Sequence, residues 1–176
     1  MKTMKTFKFS LVFVILILFS CKAEKENFEF TFFKWSIHGD YYLRVNSSDT
    51  LYLVIDNPIE KQNKFVILQK EQKDKIESFL SQSKFPKEEY FSRDVNDGLS
   101  YAFMYSDKRR KNKLLIHAHA GPTEFWEFGE YLENLKNGSK FINTNRKINL
   151  KDIQKMLFTL SPAPPPPKIN TVGTEE

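Results

Sequence analysis

Phe28, Phe30 and Phe32 fall on every second position, with Glu29, Thr31 and Phe33 between them, and this period of two predicts a strand where the folded region begins. Residues 42–45 and 50–55 repeat the signal with aromatic and β-branched side chains, separated by the turn-forming stretches 38–40 and 46–49. A fourth strand is predicted over 65–68, after a polar loop that contains Pro58. Further on, Leu99, Tyr101, Phe103 and Tyr105 alternate with Ser100, Ala102, Met104 and Ser106, the pattern of a half-buried strand. Residues 114–118 read as its hairpin partner across the charged stretch 107–113.

Elsewhere the spacing changes to three and four. Ile76, Phe79, Leu80 and Ser83 mark one face of a helix over 69–83, with Glu71 four before Lys75 and Pro86 stopping the pattern. A second helix opens at Pro122 and Glu124, carries Phe125, Phe128, Leu132 and Leu135 as its apolar stripe, and ends at Asn137-Gly138. A third runs over 150–160 behind Asn149 as cap, with Asp152 three later and Ile153, Met156, Leu157 and Leu160 along one face. About six strands and about three helices in one domain over residues 28–160 predict an α+β fold, a mostly antiparallel sheet with the helices packed on one face. Beyond it, residues 161–176 begin with a polyproline stretch and predict a disordered Pro-rich tail.

Composition narrows the classes. A chain of 176 residues with 40% apolar and 15% aromatic side chains suits one folded domain and excludes a collagen-like or wholly disordered protein. A single Cys excludes a disulfide scaffold, a multi-thiolate zinc site and, where that thiol is modified, cysteine catalysis.

That Cys sits in a telling place. Lys2, Lys5 and Lys8 form a basic head without acids, an apolar run from Leu11 to Phe19 follows, and then Ser20-Cys21, the three-part layout of a secretory signal over residues 1–20. Nine apolar residues span about 14 Å as a helix, too short to cross hydrocarbon. Leu18-Phe19-Ser20-Cys21 resembles the lipobox of bacterial lipoproteins: Leu18 and the small Ser20 match the family pattern, while Phe19 is bulkier than usual. The resemblance implies diacylation of the Cys21 thiol, cleavage before it and acylation of the new amino group by chains such as palmitate. The membrane is then one partner, reached through lipidated Cys21 with residues 21–27 as the tether, and a protein or glycan partner that the sequence does not name stands beside it. Removing residues 1–20 lowers the formal charge from +5 to +2, so no nucleic-acid partner is expected.

Twenty-two Lys against five Arg, together with the loose lipobox, make the chain resemble Bacteroidetes envelope lipoproteins of unknown function. In that light residues 22–26 look like a degraded version of the surface-export tag of that phylum, and Asp49-Thr50-Leu51 fits its O-glycosylation pattern. A solvated tether and a turn-to-strand junction are the plainer readings of the same residues.

Candidate chemistry is sparse, and no cofactor is implied. His117 and His119 on one strand would share a face with about 6.6–6.8 Å between their Cα atoms, from which both could reach one metal ion with Glu124 as a third ligand. The plainer alternative is a pair of polar strand-end side chains. Lys108, Arg109, Arg110 and Lys111, with Lys113 close by, are the densest charge in the chain and suit an anion contact or a solvated hairpin tip that blunts strand pairing. Ser36, His38 and Asp40 have the residue types of an acyl-transfer triad, yet alternate positions beside Gly39 fit a strand end and turn. Asp94 to Gly98 hints at a calcium loop but has Gly at the fifth position and no Glu at the twelfth. Glu124, Glu127, Glu130 and Glu133 recur every three residues, drift around the helix and are predicted to be solvated, while Trp35, Trp126 and the Phe residues are predicted to be core.

The expected function is a lipid-anchored protein of the bacterial cell envelope, periplasmic or surface-exposed, with a non-catalytic binding or structural role. Two alternatives stand beside it: a small metal-dependent hydrolase using His117 and His119, and an immunity-type lipoprotein that binds an incoming toxin.

Overall fold

The computed structural model describes residues 27–56, 61–93 and 98–160. The signal segment, Cys21, Pro58, residues 94–97 of the calcium-like loop and the Pro-rich tail lie outside the described residues.

Eight strands form one sheet: β1 (Glu29–Ser36), β2 (Gly39–Asn46), β3 (Thr50–Asp56), β4 (Lys61–Ile67), β5 (Tyr90–Phe91), β6 (Ser100–Ser106), β7 (Lys111–His117) and β8 (Ile142–Asn143). The helices are α1 (Lys70–Gln82), α2 (Thr123–Gly138) and α3 (Lys151–Leu160). Across the sheet the order is β5-β7-β6-β1-β2-β3-β4-β8, antiparallel at every pairing except β5 with β7. The α+β class and the mostly antiparallel sheet are therefore as predicted. The two strands beyond the expected six are β5 and β8, of two residues each, too short to carry a period. Neighbouring strands recruit them: Leu115 N–H donates to Glu89 O at 2.8 Å, and Thr144 N–H to Asn63 O at 2.9 Å.

The expectation that the helices pack on one face is corrected by the core. On one face Phe30, Phe32, Leu43, Leu53, Tyr101 and Phe103 meet Ile76 and Leu80 of α1 and Phe125, Phe128 and Leu132 of α2. On the other face Phe33, Tyr42, Val54, Ala102, Met104 and Leu115 meet Leu150, Ile153 and Met156 from α3 and its approach. The physical reason is in the strands. Phe32-Phe33, Tyr41-Tyr42-Leu43 and the run 51–55 are apolar at consecutive positions, so both surfaces of the central strands must leave water.

The α1–α2 face is an aromatic core. Phe79 stacks on Phe128 with ring centroids 3.8 Å apart, Phe32 lies 5.2 Å from Tyr101, and Phe103 meets Phe125 edge-on at 5.3 Å. Pairs in these geometries each add about 0.5–1.5 kcal/mol beyond their buried area. Two expected core residues are not core: Trp35 is 39% exposed, and Phe158 on the outer side of α3 is 93% exposed.

Register also fixes the two ends of the sheet. Glu29 pairs with Asn46 and Ser106, so the start of β1 lies beside the β6–β7 turn. The opposite end carries the β1–β2 turn, Ser100 and His117.

Candidate functional site

His117 is the last residue of β7, and there the strand stops. Ala118 and His119 both have positive φ, 52° and 58°, and Ala120 N–H donates to His117 O at 3.0 Å, which closes a tight turn on two left-handed residues. Non-glycine side chains resist that conformation, and turns of this kind ordinarily use Asn-Gly. The packing around it holds the turn: Trp126 Nε1 donates to Ala120 O at 2.7 Å, and the His119 ring stacks on Trp126 at 4.6 Å.

This geometry corrects the strand arrangement on which the metal reading rested. His119 has left the strand, His117 Nδ1 lies 2.8 Å from Ser100 Oγ, and Glu124 is exposed in the first turn of α2. Among the described residues no group of three or more His, Cys, Asp or Glu side chains is gathered as a metal would require. Ser36, His38 and Asp40 form a hairpin end, with His38 N–H donating to Ser36 Oγ and Ser36 Oγ–H to Gly39 O, both at 3.3 Å. Asp49 is held by Lys73 of α1 while Thr50 opens β3, a turn-to-strand junction.

The basic hairpin tip is partly structural. Asp107 accepts from Arg109 N–H at 2.7 Å, Arg110 N–H at 2.8 Å and the Tyr105 hydroxyl at 2.7 Å. The Arg110 guanidinium lies over the Tyr105 ring at 4.7 Å and donates to Leu80 O of α1 at 2.9 Å. Lys111 pairs with Asp152 of α3 at 2.8 Å, which holds the Asp152 carboxyl below its ordinary range. Lys108 and Arg109 are exposed at the tip itself.

One polar cluster escaped the sequence reading. Lys34 of β1 pairs in register with Tyr41 of β2 on one side and Tyr101 of β6 on the other, one row across three strands on the α2 face. Glu133 of α2 accepts from the Tyr101 hydroxyl and pairs with Lys34 Nζ at 2.8 Å, so it is not a solvated member of the glutamate series. Glu124, Glu127 and Glu130 are exposed as predicted. Lys136 lies over the Tyr41 ring at 4.7 Å. Burial first, and then the hydrogen bond and negative charge of Glu133, push the Tyr101 phenol well above its ordinary range; burial and Glu133 do the same to Tyr41. The signal for this cluster was Lys34 itself, a cation on the face of Phe30 and Phe32 that calls for an acid opposite.

Tyr41 is 7% exposed, and its hydroxyl has no hydrogen-bond partner among the described residues. Tyr41→Phe is therefore expected to leave stability unchanged or to raise it by up to about 1 kcal/mol, because it removes a buried group already paying for desolvation. Tyr101→Phe, which takes a donor from Glu133, is expected to cost about 1–2 kcal/mol. Urea midpoints with an unchanged slope measure both, and a loss for Tyr41→Phe as large as for Tyr101→Phe would refute the contrast.

An open groove of about 710 Å³ lies where β3 and β4 meet the approach to α3, lined among others by Asp56, Lys61, Asn63, Lys147, Asn149 and Gln154. Asp56 ties two of its polar groups: Lys61 pairs with it at 3.0 Å, and Gln154 Nε2 donates to it at 3.4 Å. Among the described residues no helix is long and apolar enough to cross a membrane. Searches of protein-family models, of curated proteins and of solved structures found nothing that matches this chain.

Proposed function

We propose that this chain is a lipid-anchored protein of the bacterial cell envelope whose α+β domain has a binding or structural role without catalysis. The observation that carries the reading is the position of the single Cys. It follows a basic head and a nine-residue apolar run, behind a leucine three positions back and a small serine. Two or three acyl chains on Cys21, at about 0.8 kcal/mol per buried methylene, give lasting attachment where one chain would exchange. The start of β1 only eight positions after Cys21 supports it too, since a short polar segment between lipid and first strand is what a tether requires.

The test is fractionation of cells that make the full chain or Cys21→Ser, with mass spectrometry of the purified protein. The expected result is a membrane-bound, acylated wild type and a variant that moves to the soluble fraction or stays uncleaved. An unmodified thiol in the wild type, or a Cys21→Ser variant that is cleaved and still membrane-bound, refutes the proposal.

A further inference from the structure

The chain leaves the sheet toward Cys21 at the same end that carries the basic hairpin. Glu29 pairs with Ser106, the residue before the turn, and Phe28 stacks on Tyr105 at 6.1 Å while Arg110 covers Tyr105 at 4.7 Å. The root of the tether and the hairpin are thus one packed unit. Glu29 lies eight positions after Cys21, a span of at most about 26–29 Å, so an anchor at Cys21 confines this end of the domain near the headgroups.

The hairpin and α2 carry charge of opposite sign. Residues 107–113 carry five cations against one acid, whereas α2 carries four glutamates against one lysine. Glu133 of α2 ties to Tyr101 and Lys34, five residues along β6 from Ser106, a separation of about 17 Å. Near an anionic surface such a molecule turns its hairpin inward and α2 outward, because the potential falls off within a Debye length of about 8–10 Å and acts on the near end alone.

From this we infer that the β6–β7 hairpin tip, through Lys108 and Arg109, is a membrane-contact element that rests on anionic lipid headgroups and sets the domain upright, with α2 and the His117 turn facing away from the bilayer. The inference rests on lipid attachment at Cys21. The anchor supplies proximity, and the tip supplies orientation. Asp107 holds Arg110 and Asp152 holds Lys111, and these pairs stiffen the tip that carries Lys108 and Arg109.

The test uses the purified full-length lipidated protein in two kinds of vesicle, phosphatidylcholine alone and phosphatidylcholine with phosphatidylglycerol. Lysines are labelled with a membrane-impermeant amine reagent and read by mass spectrometry. Lys108 is expected to label several-fold more slowly on the anionic vesicles, as roughly fivefold stabilisation per surface-bound cation implies, and to recover in about 1 M salt. Lys61 and Lys147, on the groove, are expected to label equally on both. Lys111, at the base of the tip, is expected to show a smaller slowing of the same kind, which Lys108→Ser with Arg109→Ser abolishes. Equal labelling of Lys108 on the two vesicles, or protection at Lys61 and Lys147 instead, overturns the inference. So does protection of Lys108 by inorganic phosphate on phosphatidylcholine vesicles, which would make the tip a free-anion site. Failure of the protein to sediment with either vesicle is a separate outcome and overturns the anchoring beneath it.

Discussion

Gly129→Ala is expected to destabilise the domain by about 2–3 kcal/mol, the reverse of what the same change does in most helices. An alanine in a helix interior ordinarily gains up to about 1 kcal/mol over glycine. Here a Cβ on Gly129 would lie 2.4 Å from Cδ2 and Cε2 of Tyr101, and that ring cannot retreat. It is fully buried, with Phe32 at 5.2 Å and Trp126 at 4.9 Å, and its hydroxyl is held by Glu133. Either α2 lifts from the sheet, loosening the Phe125 and Phe128 contacts, or Tyr101 leaves its well and breaks the bond to Glu133. Overpacking typically costs about 1–3 kcal/mol and occasionally more, and contacts this short against a ring that cannot move belong at the upper end, roughly 3–4 kcal/mol before the helix gain of up to about 1 kcal/mol is subtracted. The melting temperature should fall by roughly 8–12 °C. Tyr101→Leu in the Gly129→Ala background is expected to recover part of the loss, whereas Tyr101→Phe, which keeps the ring, recovers none. An alanine variant as stable as wild type would mean that α2 does not sit this close.

Gly129 also marks where sequence reasoning stops. The apolar stripe of Phe125, Phe128, Leu132 and Leu135 located the helix, but nothing in the period says which strand residue the helix will touch. Long elements were legible because each has one dominant face, as with Tyr101, Phe103 and Tyr105. The second covered face was written in the sequence as well, in the consecutive apolar pairs Phe32-Phe33 and Tyr41-Tyr42, which a period-of-two reading treats as noise. The two-residue strands were not legible at all, since their pairing is imposed by neighbours. The turn at Ala118-His119 lacks the Gly or Asn that announces positive φ, so alternation carried His119 onto a strand it does not join. Glu133 differs from Glu130 only in what lies opposite, and that is a property of the register of three strands.

Asp107→Ala is expected to cost about 2–4 kcal/mol, because it strips the acceptor from two backbone N–H groups of the turn and from the Tyr105 hydroxyl at once. Part of that loss should depend on pH. Burial pushes the Asp107 carboxyl up, but the hydrogen bonds from Tyr105, from the backbone of Arg109 and Arg110 and from the Arg110 side chain outweigh it and bring the group down to about 2. The unfolded value is about 3.9, so the native state prefers the carboxylate, and its contribution is complete above about pH 5 and lost as pH falls from 4 toward 2. Nearly two units of depression correspond to at most roughly 2–3 kcal/mol, and solvent screening at this turn lowers the figure. Asp107→Asn keeps an acceptor oxygen and cannot titrate. Urea unfolding should then show a stability gap between wild type and Asp107→Asn that is widest near neutrality and closes by about 2 kcal/mol between pH 5 and pH 2. A gap that stays constant over that range would mean the charge of the carboxylate does not hold the turn. Under the membrane-contact inference the two effects are linked: a tip loosened by Asp107→Ala leaves Lys108 and Arg109 without a fixed direction. The lipid-dependent protection of Lys108 should fall in that variant although both cations remain.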